Sequence, residues 1–114
     1  MILNHLNLTV TDVPAAQQFL EKYFGLRNRG EIKRNEKFMV LFDDRGLVLT
    51  LMKAREGEEV RYPGFFHIGF AQESEEQVNE LNRRLKADGF AAGYTCVRTT
   101  PSGATGVVCP QPVA

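Results

Sequence analysis

The chain opens on a period-two alternation. From Ile2 to Val10, Leu6, Leu8 and Val10 fall on one side and His5, Asn7 and Thr9 on the other, the pattern of a strand with one buried face. A helical stripe follows. Ala16, Phe19, Leu20, Tyr23 and Phe24 recur at the i, i+3, i+4, i+7, i+8 spacing that gathers side chains on one face of a helix. Thr11 or Asp12 can cap it, because a short side-chain oxygen reaches an unpaired first-turn amide. Pro14 fits the first turn, and Gly25 supplies the C-terminal stop. Three strands are expected next, at about 28–34, 37–43 and 46–53, separated by Arg34-Asn35-Glu36 and Asp43-Asp44-Arg45-Gly46. In the last of them Leu47, Leu49 and Leu51 face one way and Val48, Thr50 and Met52 the other.

The charged stretch from Lys53 to Gly64 ends in Pro63-Gly64 and reads as a linker. Beyond it the strand and helix recur. Phe65 to Phe70 is the expected strand, Ser74-Glu75-Glu76-Gln77 has the form of a capping box, and Val78, Leu81 and Leu85 make the apolar stripe behind it. Asp88-Gly89 closes the helix. The remainder, Phe90 to Ala114, must supply three strands in 25 residues, a tight fit at about 5–6 residues per strand. The last two are expected near Tyr94–Thr99 and Ala104–Cys109, joined by Pro101-Ser102-Gly103. The Pro110-Gln111-Pro112 tail should lie outside the sheet, because proline cannot donate to a ladder.

The two halves repeat. His5 and His67, the only histidines, stand 62 positions apart, and the same shift lays Asp12 on Ser74, Ala16 on Val78, Phe19 on Leu81 and Tyr23 on Leu85. One module is written twice, module one at about 1–53, a linker at 54–64 and module two at about 65–109. At 114 residues the chain has material for one shared core, so a single domain spanning 1–114 is expected and neither half should fold well alone. Duplicated modules paired about a pseudo-twofold axis would bring the two imidazoles together, which suggests a metal or a ligand pocket.

Charge and composition narrow the partners. Fourteen basic and fourteen acidic residues cancel without a long run of either sign, which argues against a polyanionic partner such as nucleic acid. The N-terminus lacks a basic leader and no segment approaches the roughly 20 apolar residues of a membrane span. A soluble cytoplasmic protein is expected, with Cys96 and Cys109 as free, packed thiols rather than a disulfide.

Three stretches carry a family resemblance: His5-Leu-Asn-Leu-Thr-Val-Thr-Asp-Val-Pro, Phe19-Leu20-Glu21-Lys22-Tyr23-Phe24-Gly25-Leu26, and Phe66-His67-Ile68-Gly69-Phe70. The chain resembles the vicinal oxygen chelate superfamily of glyoxalase I, extradiol dioxygenases, fosfomycin-resistance enzymes and bleomycin-binding proteins. The resemblance implies an α+β fold of two βαβββ modules in pseudo-twofold arrangement, forming a curved mixed sheet around a pocket with the helices on the outer face. It also implies four ligand positions, one in the first and one in the fourth strand of each module. Here they fall at His5, Thr50, His67 and Val107.

A hydroxyl and an isopropyl group thus stand where many relatives carry carboxylates. Two imidazoles alone hold a divalent ion weakly, since a catalytic site needs about three protein ligands and an open position. A glyoxalase I mechanism calls for a carboxylate beside the metal to move a proton, and no glutamate occupies a mapped position. Cys109 shares the face of Val107 by alternation and is a candidate third ligand, against the commoner role of a packed thiol. His5 and His67 are either ligands of zinc, iron, manganese or nickel, or pocket-lining groups left from a metal-binding ancestor, and no cofactor at all is an equal alternative.

The remaining candidates each carry two readings. Asn7, Thr50 and Val107 are the candidate substrate contacts, although small polar residues on a sheet also serve to bond neighbours or water. Phe38, Met39, Phe42 and Met52 form either an apolar wall for a substrate or plain core. Arg83-Arg84 reads as a solvated helix face, and Glu56-Gly57-Glu58-Glu59 as an exposed loop or a cover for the pocket. The reading that results is a glyoxalase/bleomycin-resistance-like protein that binds a small molecule in the concave sheet pocket without a complete catalytic metal site. It is expected to be a homodimer. The alternative is a metal-dependent lyase, dioxygenase or transferase acting on a small oxygen-rich substrate.

Overall fold

The structure, a computed structural model, describes residues 1–30, 36–63, 66, 68–90, 95–100 and 103–108, the last two segments by their backbone. The chain divides into two compact units, the first Met1–Arg61 and the second beginning at Tyr62. Both mix helix and strand.

In the first unit β1 (His5–Val10) leads into α1 (Val13–Phe24), followed by β2 (Phe38–Phe42) and β3 (Val48–Lys53). Asp12 is the N-cap, in extended conformation, its Oδ1 accepting from Ala15 N at 3.0 Å, and Pro14 sits in the first turn where no amide is missed. Gly25 ends the helix at φ +69°, a conformation a Cβ makes costly. Of the expected stripe Ala16, Phe19, Leu20 and Tyr23 are buried and Phe24, at the helix end, is half-buried; Val13 and Gln17 are buried as well, the Gln17 amide bonded to Glu21 Oε1 at 2.9 Å.

Strand order is β1-β3-β2, with β1 and β3 parallel and β2 and β3 antiparallel. Residues paired across strands share a face, so two layers follow from the register. Leu8, Leu51 and Met39 form one row and Leu6, Leu49 and Leu41 the next, on the face where all but the half-buried Leu6 are buried and α1 packs against β3 and β2. Each fully buried Leu or Val contributes about 1.5–3 kcal/mol of apolar transfer. The hairpin between β2 and β3 is set by Asp43, whose Oδ1 accepts from Arg45 N and Leu47 N at 2.8 Å each, and by Gly46 at φ +96°.

In the second unit β4 (Ile68–Gln72) leads into α2 (Glu75–Ala87), then β5 (Thr95–Thr100) and β6 (Gly103–Val108), in the order β4-β6-β5. Ser74 caps α2 by accepting from Gln77 N at 3.2 Å. Gln77 reaches back past Ser74 and accepts from Glu73 N at 3.0 Å, so the expected box closes one residue further out. Phe90 N bonds Leu85 O and Gly89 N bonds Lys86 O, a Schellman stop built on Gly89 at φ +93°. Val78, Leu81 and Leu85 are buried as the stripe requires.

The two sheets differ in polarity for a countable reason. After α1 the chain makes three passes along the sheet: a bridge at Arg27 to Phe42, then β2, then β3, which ends parallel to β1. After α2 the described chain makes two, so β6 ends antiparallel to β4. Three strands are expected after each helix. In the first unit the earliest was expected at 28–34; an isolated bridge stands just before it at Arg27, 28–30 are not in a strand, and 31–35 lie outside the described residues. The second unit has two among the described residues, because the 25 residues after Gly89 hold two six-residue strands and their connections. Cys109 and the Pro110-Gln111-Pro112 tail lie outside the described residues.

Candidate functional site

The second face of the β1-β3-β2 sheet collects the polar positions of β1. Its rows, read from the register, are His5, Val48 and Phe42, then Asn7, Thr50 and Val40, then Thr9, Met52 and Phe38. Adjacent strands lie about 4.8 Å apart and successive rows roughly 6.6 Å, so the face measures about 10 Å across. His5 and Asn7 are exposed, Thr9 and Thr50 half-buried, and Met52 is 44% exposed, a high value for a large apolar side chain. Val40 in the middle of β2 is the buried member.

Asn7 and Thr50 are joined. Thr50 Oγ1 donates to Asn7 Oδ1 at 2.5 Å, leaving the Asn7 amide hydrogens and the Thr50 lone pairs to meet a ligand. His5 Nδ1 lies 2.6 Å from Asn4 Oδ1. An amide oxygen only accepts, so in this contact Nδ1 is the donor. His5 stands one row from Asn7 and Thr50 on the same face.

At the β2 side of this face lies a second set of groups. Arg29 places its guanidinium carbon 4.5 Å above the centre of the Phe42 ring. Arg27 is paired with Phe42 by backbone bonds in both directions, at 3.0 and 2.8 Å. Sequence reasoning passed over Asn4, Arg27 and Arg29. The signal was present in the alternation Leu26 buried, Arg27 exposed, Asn28 half-buried, Arg29 exposed, too short to stand out beside the longer strands.

Of the residues expected at a site, His5, Asn7 and Thr50 come together on this face. His67 lies outside the described residues, as does Cys109. Val107 belongs to the second unit, where it pairs with Gly69 and with Cys96. Gly69 is Asn7 shifted by 62, so the register keeps Val107 opposite the counterpart of the residue that faces Thr50. Of the apolar four, Phe38, Phe42 and Met52 share the site face, whereas Met39 turns to the core at 2% exposure, because odd and even positions of β2 face opposite ways. The Glu56-Gly57-Glu58-Glu59 stretch is exposed, with Glu59 bonded to Arg61 at 2.8 Å.

Among the described residues no three His, Cys, Asp or Glu side chains cluster as a metal would require. His5 is joined there by a hydroxyl and an amide, and that donor set does not fit a catalytic metal. What it suits is a polar ligand held by neutral donors and acceptors beside an apolar strip.

Comparison with known proteins gives the wider frame. The family model for the Glyoxalase/Bleomycin resistance protein/Dioxygenase superfamily matches residues 2–108. A solved structure described as a possible glyoxalase from Bacillus cereus is 52% identical, with a TM-score of 0.74, covering 96% of this chain and 99% of that one. A lactoylglutathione lyase from Agrobacterium tumefaciens shares the fold at 19% identity and a TM-score of 0.59, over 93% of this chain and 82% of that one. A further Agrobacterium tumefaciens protein, solved in solution, shares it at 22% identity and 0.57, over 89% and 78%. Among curated proteins none matches. A match over nearly the whole length, together with a half-identical relative of the same size, places the sequence: this chain belongs to the Glyoxalase/Bleomycin resistance protein/Dioxygenase superfamily.

Proposed function

We propose that the protein binds a small oxygen-bearing molecule on the second face of the β1-β3-β2 sheet and does so without a complete catalytic metal site. Asn7 and Thr50 serve as its polar contacts, and Val107, the equivalent position on the β4-β6-β5 sheet, is the contact proposed for a molecule bound there. The observation that carries this reading is the Asn7–Thr50 hydrogen bond, which fixes an amide and a hydroxyl at a position where a metal ligand was expected. His5 and His67 form at most a partial metal site in this reading. A cytoplasmic homodimer, with exposed sheet edges meeting between copies, belongs to the same proposal.

A second reading, a metal-dependent enzyme of the superfamily, draws support from the 52% identity to a possible glyoxalase. It needs a ligand beyond the mapped four. Elemental analysis of tag-free protein, beside His5→Ala and His67→Ala, separates the two. The binding reading expects no stoichiometric metal after incubation with zinc, iron, manganese or nickel, and thermal stabilisation by small oxygen-rich compounds in a chelator. About one ion per chain in the wild type, lost in both variants, would replace it with the enzyme reading.

A further inference from the structure

The chain after α1 is tied to β2 through Arg27 and Asn28, just before Arg29. Arg27 exchanges two backbone hydrogen bonds with Phe42. Asn28 donates through Nδ2 to Val40 O at 3.1 Å and approaches Met39 Sδ at 3.2 Å. Gly30 N donates to Asn28 Oδ1 at 2.8 Å, closing a turn at φ +77°. Arg29, between these anchors, lies over the Phe42 ring. No carboxylate among the described residues pairs with it.

Placement follows from the register. Arg27 stands beside Phe42 in an antiparallel bridge and therefore on the same face, the one that carries His5, Asn7 and Thr50. Arg29 is found there directly, by its contact with Phe42. Stacking on the ring occupies one flat side of the guanidinium and leaves its edge, where the N–H donors lie, free to meet a planar oxyanion in bidentate fashion. The ring contact already holds the Arg29 head in place, which lowers the side-chain ordering left to binding. Val48 separates this edge from His5 in the same row, so an anionic head at Arg29 would lay an apolar body over Val48 toward Asn7 and Thr50.

We propose that Arg27 and Arg29, held by Phe42, form an oxyanion subsite that selects small organic carboxylates for the β1-β3-β2 face. This rests on the reading that the face binds a small molecule, and it names the class.

The test compares benzoate with its uncharged analogue benzamide by titrating the ¹H–¹⁵N spectrum of the full-length protein. Benzoate is expected to shift the amides of Phe42, Val48 and Thr50 and to bind about tenfold more tightly than benzamide, the difference one charge-assisted contact makes. Arg29→Gln should abolish that preference, Arg27→Gln reduce it, and Arg29→Lys keep part of it. Each variant replaces an exposed residue, and its dispersed spectrum reports an intact fold. Equal affinities for the two compounds, or unchanged benzoate binding in Arg29→Gln, would overturn the subsite and leave the face as a neutral-ligand surface. If neither compound shifts a residue of the face, the small-molecule reading falls and the subsite with it.

Discussion

Thr50 donates its hydroxyl hydrogen to Asn7 Oδ1 across a parallel strand pair, from a position 43 residues away in sequence. Both residues sit on the face away from α1, so the bond does not hold the core together. Thr50→Val keeps the β-branched shape and removes the donor, leaving Asn7 Oδ1 to water. Stability should change by no more than about 1 kcal/mol in urea denaturation, while stabilisation by ligands of this face should be lost.

Leu51 and Leu41 are 0% exposed and lie in adjacent rows beneath α1. Replacing either with alanine should cost about 2–5 kcal/mol, because the transfer energy is lost and the space cannot fully collapse. The midpoint of chemical denaturation reads this directly. A cost near that of Thr50→Val would mean that the leucine face is not the core.

Ser74 and Asp12 occupy equivalent cap positions, 62 residues apart. Each alanine substitution should lower stability by about 1 kcal/mol and each glycine by only a few tenths, since glycine leaves the first-turn amides open to water. The two losses should add, as the caps share no partner. Thermal denaturation of the single and double variants measures both points.

Glu80 is held below the ordinary carboxylate range chiefly by hydrogen bonds from Arg83, at 2.9 Å and 2.5 Å, with desolvation opposing and the charges of Arg83 and Arg84 assisting. The folded-state value is thus the depressed one. Its contribution is present above the unfolded carboxylate value and is lost as the pH falls through the folded value. Both side chains are exposed, at 68% and 54%, so solvent weakens the effect. Arg83→Gln should raise the Glu80 pKa toward normal in a carbon-detected carboxyl titration, with little change in melting temperature.

Much of the first unit was legible because its signals are periodic. The alternation of β1 and β3 and the stripe of α1 each repeat often enough to fix both element and face. The caps were readable for a different reason: Asp12 and Ser74 are short acceptors standing just before an apolar stripe. Three things were not. Met39 was grouped with Phe38 and Phe42, because five apolar residues in a row, Phe38-Met39-Val40-Leu41-Phe42, carry no alternation to divide them, and only pairing with Leu51 turns Met39 inward. Arg27 and Arg29 escaped notice because their role depends on Phe42, brought beside them by the bridge and not by sequence proximity. The strand content after α2 is the third: three strands were expected and two stand among the described residues, and how many residues the connections consume is not written in the periodicity.

That strand count reaches beyond bookkeeping of elements. Among the described residues the last strand of the second unit runs antiparallel to its first, whereas that of the first unit runs parallel, so its carbonyls and amides meet the neighbouring strand in the reverse order. Val107 and Thr50 are therefore equivalent in position but not in chain direction. Anyone splicing the halves into a symmetric chimera by matching residues would thread the last strand backwards.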